Sequence, residues 1–143
     1  MVESIKVLTP TRERFFWALG RDTVQTGRCV HQTCGPGRFA VVQLRFQTDF
    51  DGPGVVLANE VVEEDFPHDD FELDEIVDAI SQGVLAGLSE ASPDNEPIQA
   101  LKITVMHIAV QPIDTLPQHF IEAAQLAVQQ AVDEAGLVYI KPS

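Results

Sequence analysis

The side chains best suited to chemistry sit in one short stretch. Cys29, His31 and Cys34 make the pattern C-x-H-x-x-C. Thiolate and imidazole are donors that zinc prefers, but a structural zinc takes four ligands, and no second cysteine or histidine pair follows at finger spacing. Alternation along an extended strand sets Cys29 and His31 on one face, with Cys34 in the turn beyond. That placement favours ordinary reduced thiols in a hairpin, and no metal is expected. A Cys34–His31 nucleophile pair would need an orienting acid and a pocket, and the sequence points to neither.

The other candidates are weaker. His68 beside Asp69 and Asp70 offers nitrogen and oxygen ligands, and the run from Glu60 to Asp78 holds ten acids. It contains no D-x-D-x-D-G calcium loop, so a solvated helix entrance is the expected role. His107 falls on the core-facing phase of a strand and reads as a hydrogen-bonded structural histidine. His119 falls at a helix start and reads as a solvated one. Phe15 and Trp17, on a segment with Arg12 and Arg14, have the types that stack nucleobases. Closing the open edge of a core is the commoner use of such rings. With no catalytic constellation, the chain is expected to be non-enzymatic and to need no cofactor.

The elements that must position these residues follow from the pattern. The chain has 143 residues, a one-domain length, with 45% hydrophobic and 22% charged side chains, which is a globular composition. No apolar run approaches a membrane span. No basic segment leads into an apolar one at the N-terminus, so no secretory signal is expected. Two cysteines are too few for a disulfide scaffold, and a reducing cytoplasm is the expected compartment.

Residues 4–8 read as a strand. Residues 9–20 fit either a short capped helix, from Thr9-Pro10 to Gly20, or a strand built on Phe15-Phe16-Trp17. Residues 23–32 and 38–47 read as two strands joined by the turn-forming Gly35-Pro36-Gly37, with Ala40, Val42, Leu44 and Phe46 on the core face. A further strand is expected over residues 55–62. Residues 70–90 follow the helical period through Leu73, Ile76, Val77, Ile80, Val84 and Leu88. Gly83 and Gly87 within it predict close approach to a neighbouring helix. Residues 98–110 read as a strand, with Leu101, Ile103 and Val105 on one face and Lys102 and Thr104 on the other. A second helix is expected from Thr115, with Thr115 and Gln118 as a capping box and Gly136 as its C-terminal stop. Leu137 to Ile140 read as a short last strand. Strands first and helices later predict an α+β fold with helices on one face of a mostly antiparallel sheet.

Charge is unevenly placed along this order. The net charge is −13. Residues 1–45 hold seven basic and three acidic side chains, whereas residues 46–143 hold two basic and nineteen acidic ones. The whole chain repels a polyanion at long range, while a local basic face can still meet phosphates.

The element order and several motifs resemble domain IV of the translational GTPase elongation factor G. Cys29-Val30-His31-Gln32-Thr33-Cys34-Gly35-Pro36-Gly37-Arg38-Phe39-Ala40-Val41-Val42 is similar to the family stretch F-V-R-Q-S-G-G-R-G-Q-Y-G-H-V-V. Pro97-Ile98 resembles the family's P-V-V. Val110-Gln111-Pro112-Ile113-Asp114-Thr115 stands where the family has Y-H-D-V-D-S-S, and Ala123-Ala124-Gln125-Leu126-Ala127 resembles its second helix. The resemblance covers about residues 12–136 of a chain expected to be a single domain over 1–143, and it favours strand for residues 12–19. It implies the ribosomal protein S5 domain 2-like fold, a two-layer α+β sandwich. In the family the two matched loops form the tip that reaches the ribosomal decoding site. The family's tip arginine is Pro36 here, with Arg38 two residues on, and its tip histidine falls near Gln111. No G-x-x-x-x-G-K-[ST] motif is present, so GTP-driven translocation is not expected of this chain by itself.

The resemblance implies a non-catalytic, translation-associated module that binds RNA or a ribosomal surface. The residues it places in contact are Arg28, Thr33, Gly35, Gly37, Arg38, Arg45, Gln111 and Asp114, with the three arginines on phosphates. The alternative is a protein-interaction module, in which the acidic helices of the same fold bind a basic protein partner and nucleic acid plays no part. No membrane partner is expected.

Overall fold

A computed structural model describes residues 4–30, 39–62, 72–110 and 115–141. Strands β1 (Ser4–Thr9), β2 (Phe16–Leu19), β3 (Thr23–Cys29), β4 (Ala40–Thr48) and β5 (Val55–Asn59) come first. Helix α1 (Leu73–Ala91), β6 (Leu101–Ala109), α2 (His119–Ala135) and β7 (Leu137–Ile140) follow. Five strands make one sheet in the order β1-β5-β6-β4-β3. All its neighbours are antiparallel except β5 and β6, which are parallel because α1 carries the chain back between them. This is the expected α+β architecture.

One face of the sheet makes the core. Ala40, Val42, Leu44 and Phe46 of β4 and Leu101, Ile103 and Val105 of β6 are buried in one cluster with Ile76, Ile80 and Val84 of α1 and Phe120, Ala124 and Val128 of α2. Each fully buried aliphatic side chain contributes about 1.5–3 kcal/mol, so this single layer carries most of the stabilising burial. The two helices pack closely because α1 offers glycines at the crossing: a Cβ on Gly87 would lie 2.9 Å from Val128 Cβ. Glu72 and Glu75 form a reciprocal capping box at the start of α1, which satisfies backbone donors that a helix start otherwise leaves open.

One open alternative is settled and two expectations are corrected. First, of helix or strand over residues 9–20, the strand holds, as the resemblance favoured: β2 pairs with β7 in a separate two-stranded sheet. Trp17 N–H donates to Pro97 O, and Gln99 N–H donates to Trp17 O, so β2 lies between β7 and the lead-in to β6. Second, Thr115 does not cap α2: the helix begins at His119 with Gln118 at the N-cap position. Third, His107 is exposed. The β4–β6 register shifts between Gln43 and Leu44, where Gln43 faces His107 and Leu44 faces Val105. Met106 is the extra residue of this bulge, which reverses the alternation beyond it. Ile108 then takes the core phase in place of His107.

Candidate functional site

The candidate contact end is where β3, β4 and β6 finish together. Cys29 pairs with Ala40, and Val41 pairs with Ala109, so Val30, Phe39 and Val110 lie at one end of the sheet. Thr33, Gly35, Gly37, Arg38, Gln111 and Asp114 fall in the stretches 31–38 and 111–114, with His31 and Cys34, and lie outside the described residues.

The base of this end is well defined. Thr115 is 3% exposed, and its Oγ1 donates to Phe39 O at 2.7 Å. The N–H of Leu116 donates to Nδ1 of His119 at 3.1 Å. His119 is 5% exposed, which corrects the expectation of a solvated side chain: the first turn of α2 is folded against the sheet rather than raised into water. Cys29 is fully buried and disulfide-bonded, which corrects the expectation of a reduced thiol there. Its sulfur lies 3.6 Å from a Glu122 carboxylate oxygen.

Arg28 and Arg45 share the sheet face opposite the helices, as their partners show: Arg28 pairs with Val41, which has the same phase on β4 as Arg45. They are not adjacent. Arg45 lies four residues along β4 from Val41, about 13 Å at strand rise. Arg28 is exposed near this end of the sheet, and Arg45 pairs with Glu60 at 3.2 Å. Lys102 shares this face, through its pairing with Gln47, and was absent from the expected contact set. Its signal was available in the strand alternation, which already set Lys102 apart from Leu101 and Ile103.

The helix layer has the opposite sign. Asp74, Glu75, Asp78 and Glu90 of α1 and Glu122, Asp133 and Glu134 of α2 are its charged residues; neither helix contains Lys or Arg. Lys6 and Arg21 reach it from outside, meeting Asp78 at 2.6 Å and Glu134 at 3.3 Å. Arg28, Arg45 and Lys102 thus share the sheet face opposite the helices, with Glu60 against Arg45, while the seven helix acids lie on the other side, where Lys6 and Arg21 meet two of them.

The remaining candidates do not form a reactive centre among the described residues. No group of three or more His, Cys, Asp or Glu there is placed to hold a metal, and His68, Asp69 and Asp70 lie outside the described residues. A cleft of about 310 Å³ beside α1 is lined by Thr9, Leu85, Leu88, Ile98 and Gln99 among others, with no titratable side chain. Trp17 packs against Tyr139 with ring centres 4.9 Å apart and planes tilted by 49°, and it packs on the core, so it closes a core edge as expected. Phe15 stays exposed, with Arg14 over its ring at 5.8 Å. The Tyr139 hydroxyl donates to Glu96; this bond, with desolvation and the charges of Glu96 and Asp94, raises the phenol above its ordinary ionisation range. No described helix is long and apolar enough to cross a membrane.

Comparison with known proteins agrees with this geometry. The family model for elongation factor G, domain IV, matches residues 18–136. Elongation factor G 1 of Syntrophomonas wolfei is 27% identical over 124 residues, covering 87% of this chain and 17% of that protein. Elongation factor G of Amoebophilus asiaticus is 26% identical over 112 residues, covering 78% of this chain and 15% of that protein. A crystal structure of a Thermus thermophilus protein superposes with a TM-score of 0.69 at 18% identity, over 92% of this chain and 18% of that one, which shows a shared fold. The chain thus spans less than a fifth of the relatives it matches. The family model covers most of this chain, and the chain belongs to the elongation factor G domain IV family.

Proposed function

We propose that this chain is a non-catalytic, translation-associated module that binds RNA or a ribosomal surface through the loop end of its sheet. The observation that carries the reading is the sorting of charge. The described helices hold seven acids and no Lys or Arg, while Arg28, Arg45 and Lys102 lie on the opposite sheet face. A molecule of net charge −13 repels phosphates from most directions, so a polyanion approaches it in one orientation. That orientation presents Arg28 and its end of the sheet; Thr33, Gly35, Gly37, Arg38, Gln111 and Asp114, the other residues of the proposed contact, belong to the stretches between Val30 and Phe39 and between Val110 and Thr115. Family membership supports the same end, since these stretches carry the quoted resemblance.

The test is fluorescence anisotropy or filter binding with single-stranded RNA, structured RNA and ribosomal particles across a salt series. Binding should fall with salt at a log–log slope of roughly −0.7 per phosphate contacted on a single strand. Changing Arg28, Arg38 and Arg45 together to Gln should flatten that slope by up to about 2. No binding of wild type to any of these at low salt would sink the reading.

The acidic helix layer favours a second reading, in which it docks a basic protein segment. Binding of a lysine-rich peptide that Asp74, Glu75 and Asp78 changed to their amides abolish, without any RNA binding, would favour it.

A further inference from the structure

We infer that Thr115 is a positioning residue that ties the chain entering α2 to the start of β4, at the end of the sheet where the proposed contact lies. Its functional consequence rests on the RNA or ribosome reading above. Residues 31–38 rejoin described chain at Phe39, and residues 111–114 rejoin it at Thr115. These two rejoining points are 76 positions apart in sequence, yet Thr115 Oγ1 donates to the Phe39 carbonyl oxygen at 2.7 Å. The ladder between β4 and β6 ends at Val41 and Ala109. Past that rung, the returning chain at Thr115 meets the start of β4 through a side-chain hydroxyl.

Two further contacts give the bond its leverage. Leu116 N–H donates to His119 Nδ1, so the residue after Thr115 is tied to the first turn of α2. That helix is held on β3, where a Cβ on Gly27 would overlap the Ala123 carbonyl oxygen. Thr115 therefore stands between two fixed partners, Phe39 ahead of it and the α2 turn behind. The hydroxyl is not serving the helix, because α2 starts at His119 with Gln118 at its N-cap. With 3% exposure, water does not replace the bond, and losing the donor leaves a carbonyl short of its partner.

The hydroxyl and not the methyl group carries this role, which Thr115→Val and Thr115→Ser separate. Each is compared with wild type for RNA and ribosomal-particle binding across a salt series, for thermal melting, and for amide exchange at Thr115 or its replacement and at Leu116. Thr115→Val should bind about three- to ten-fold more weakly, the factor worth one net hydrogen bond. Its two amides should exchange faster, and Thr115→Ser should restore both readouts to within about two-fold. A folded Val variant that binds and exchanges like wild type overturns the proposal. So does equal weakening in the Ser and Val variants, which would mean that the methyl packing matters. If wild type binds neither RNA nor particles, the functional reading fails by itself. The clamp is then judged by exchange alone: faster exchange in Val but not in Ser supports it, and unchanged exchange overturns it. Should Val fail to fold, Thr115→Ala is measured in its place with the same outcomes.

Discussion

Gly83 of α1 packs directly on the carbonyl oxygen of Ile121 in α2: a Cβ built on Gly83 would overlap that oxygen and lie 2.9 Å from Ala124 Cβ. The oxygen belongs to helix backbone and cannot swing aside as a side-chain tip could. The spacing of the helix layer is thus set at this glycine, and the layer in turn covers the sheet that carries Arg28, Arg45 and Lys102 on its other face.

Gly83→Ala should destabilise the protein even though alanine is the better helix former by about 1 kcal/mol. Forcing a methyl group into a filled contact costs about 1–3 kcal/mol, so a net loss of up to about 2 kcal/mol is expected in chemical denaturation. A gain in stability would mean that the helices have room to separate.

Gln99 holds the segment before β2. It is 3% exposed; its Oε1 accepts from Glu13 N–H at 2.7 Å, and its Nε2 donates to Thr11 O at 3.2 Å. Gln99→Leu keeps the apolar stem and leaves both backbone groups unpaired, at a cost of about 1–3 kcal/mol. Amide exchange at Glu13 should rise more than exchange within β4, which separates local release from general loosening.

Arg45 should take only part in phosphate binding while Glu60 is present. Arg45 pairs with Glu60 at 3.2 Å, both side chains being about one-third exposed, so part of its charge is already answered. Arg45→Gln should flatten the salt slope of RNA binding by less than the roughly 0.7 of one full phosphate contact. Glu60→Gln should tighten binding by releasing Arg45. Looser binding by the Glu60 variant would show that the ion pair orients Arg45 rather than occupying it.

Tyr139 is the chain's one tyrosine, so its ionisation can be followed by phenolate absorbance. Its hydroxyl donates to Glu96, and this bond is the largest cause of its raised pKa. The neutral phenol is the form that the fold prefers. Its contribution to stability is therefore complete below the ordinary tyrosine range near pH 10 and is lost as pH rises through the higher folded value. The absorbance midpoint should lie above the ordinary value in native protein and move down in Glu96→Gln. An unshifted midpoint in wild type would disprove the bond.

Much of this architecture is written locally. The alternation of Ala40, Val42, Leu44 and Phe46 names the core face of β4, and Ile76, Ile80 and Val84 name that of α1, because burial selects side chains at the period of the element. Gly136 ends α2 at a φ of 71°, where glycine is the least strained residue. The glycines in α1 announced a close neighbour before that neighbour was known. The family motif around Gly35 and Gly37 pointed to the fold that the strands and helices adopt.

Partners distant in sequence left no such local mark. The hydroxyl of Thr115 had a satisfactory local use as a helix cap, and only the assembled sheet brought Phe39 O within 2.7 Å to take it instead. His107 kept a core phase by simple alternation, until pairing with β4 placed a bulge at Met106 and turned it outward. Phe15-Phe16-Trp17 suited helix or strand alike, and β7, at the far end of the chain, decided for strand by pairing with β2. Charge shows the same division. The sequence by itself determined that basic residues come early and acids late, but folding determined which faces they occupy. Residues 28, 45 and 102 share a face because strands β3, β4 and β6 are neighbours, and adjacency between strands is a property of the sheet, carried by contacts that no local period encodes.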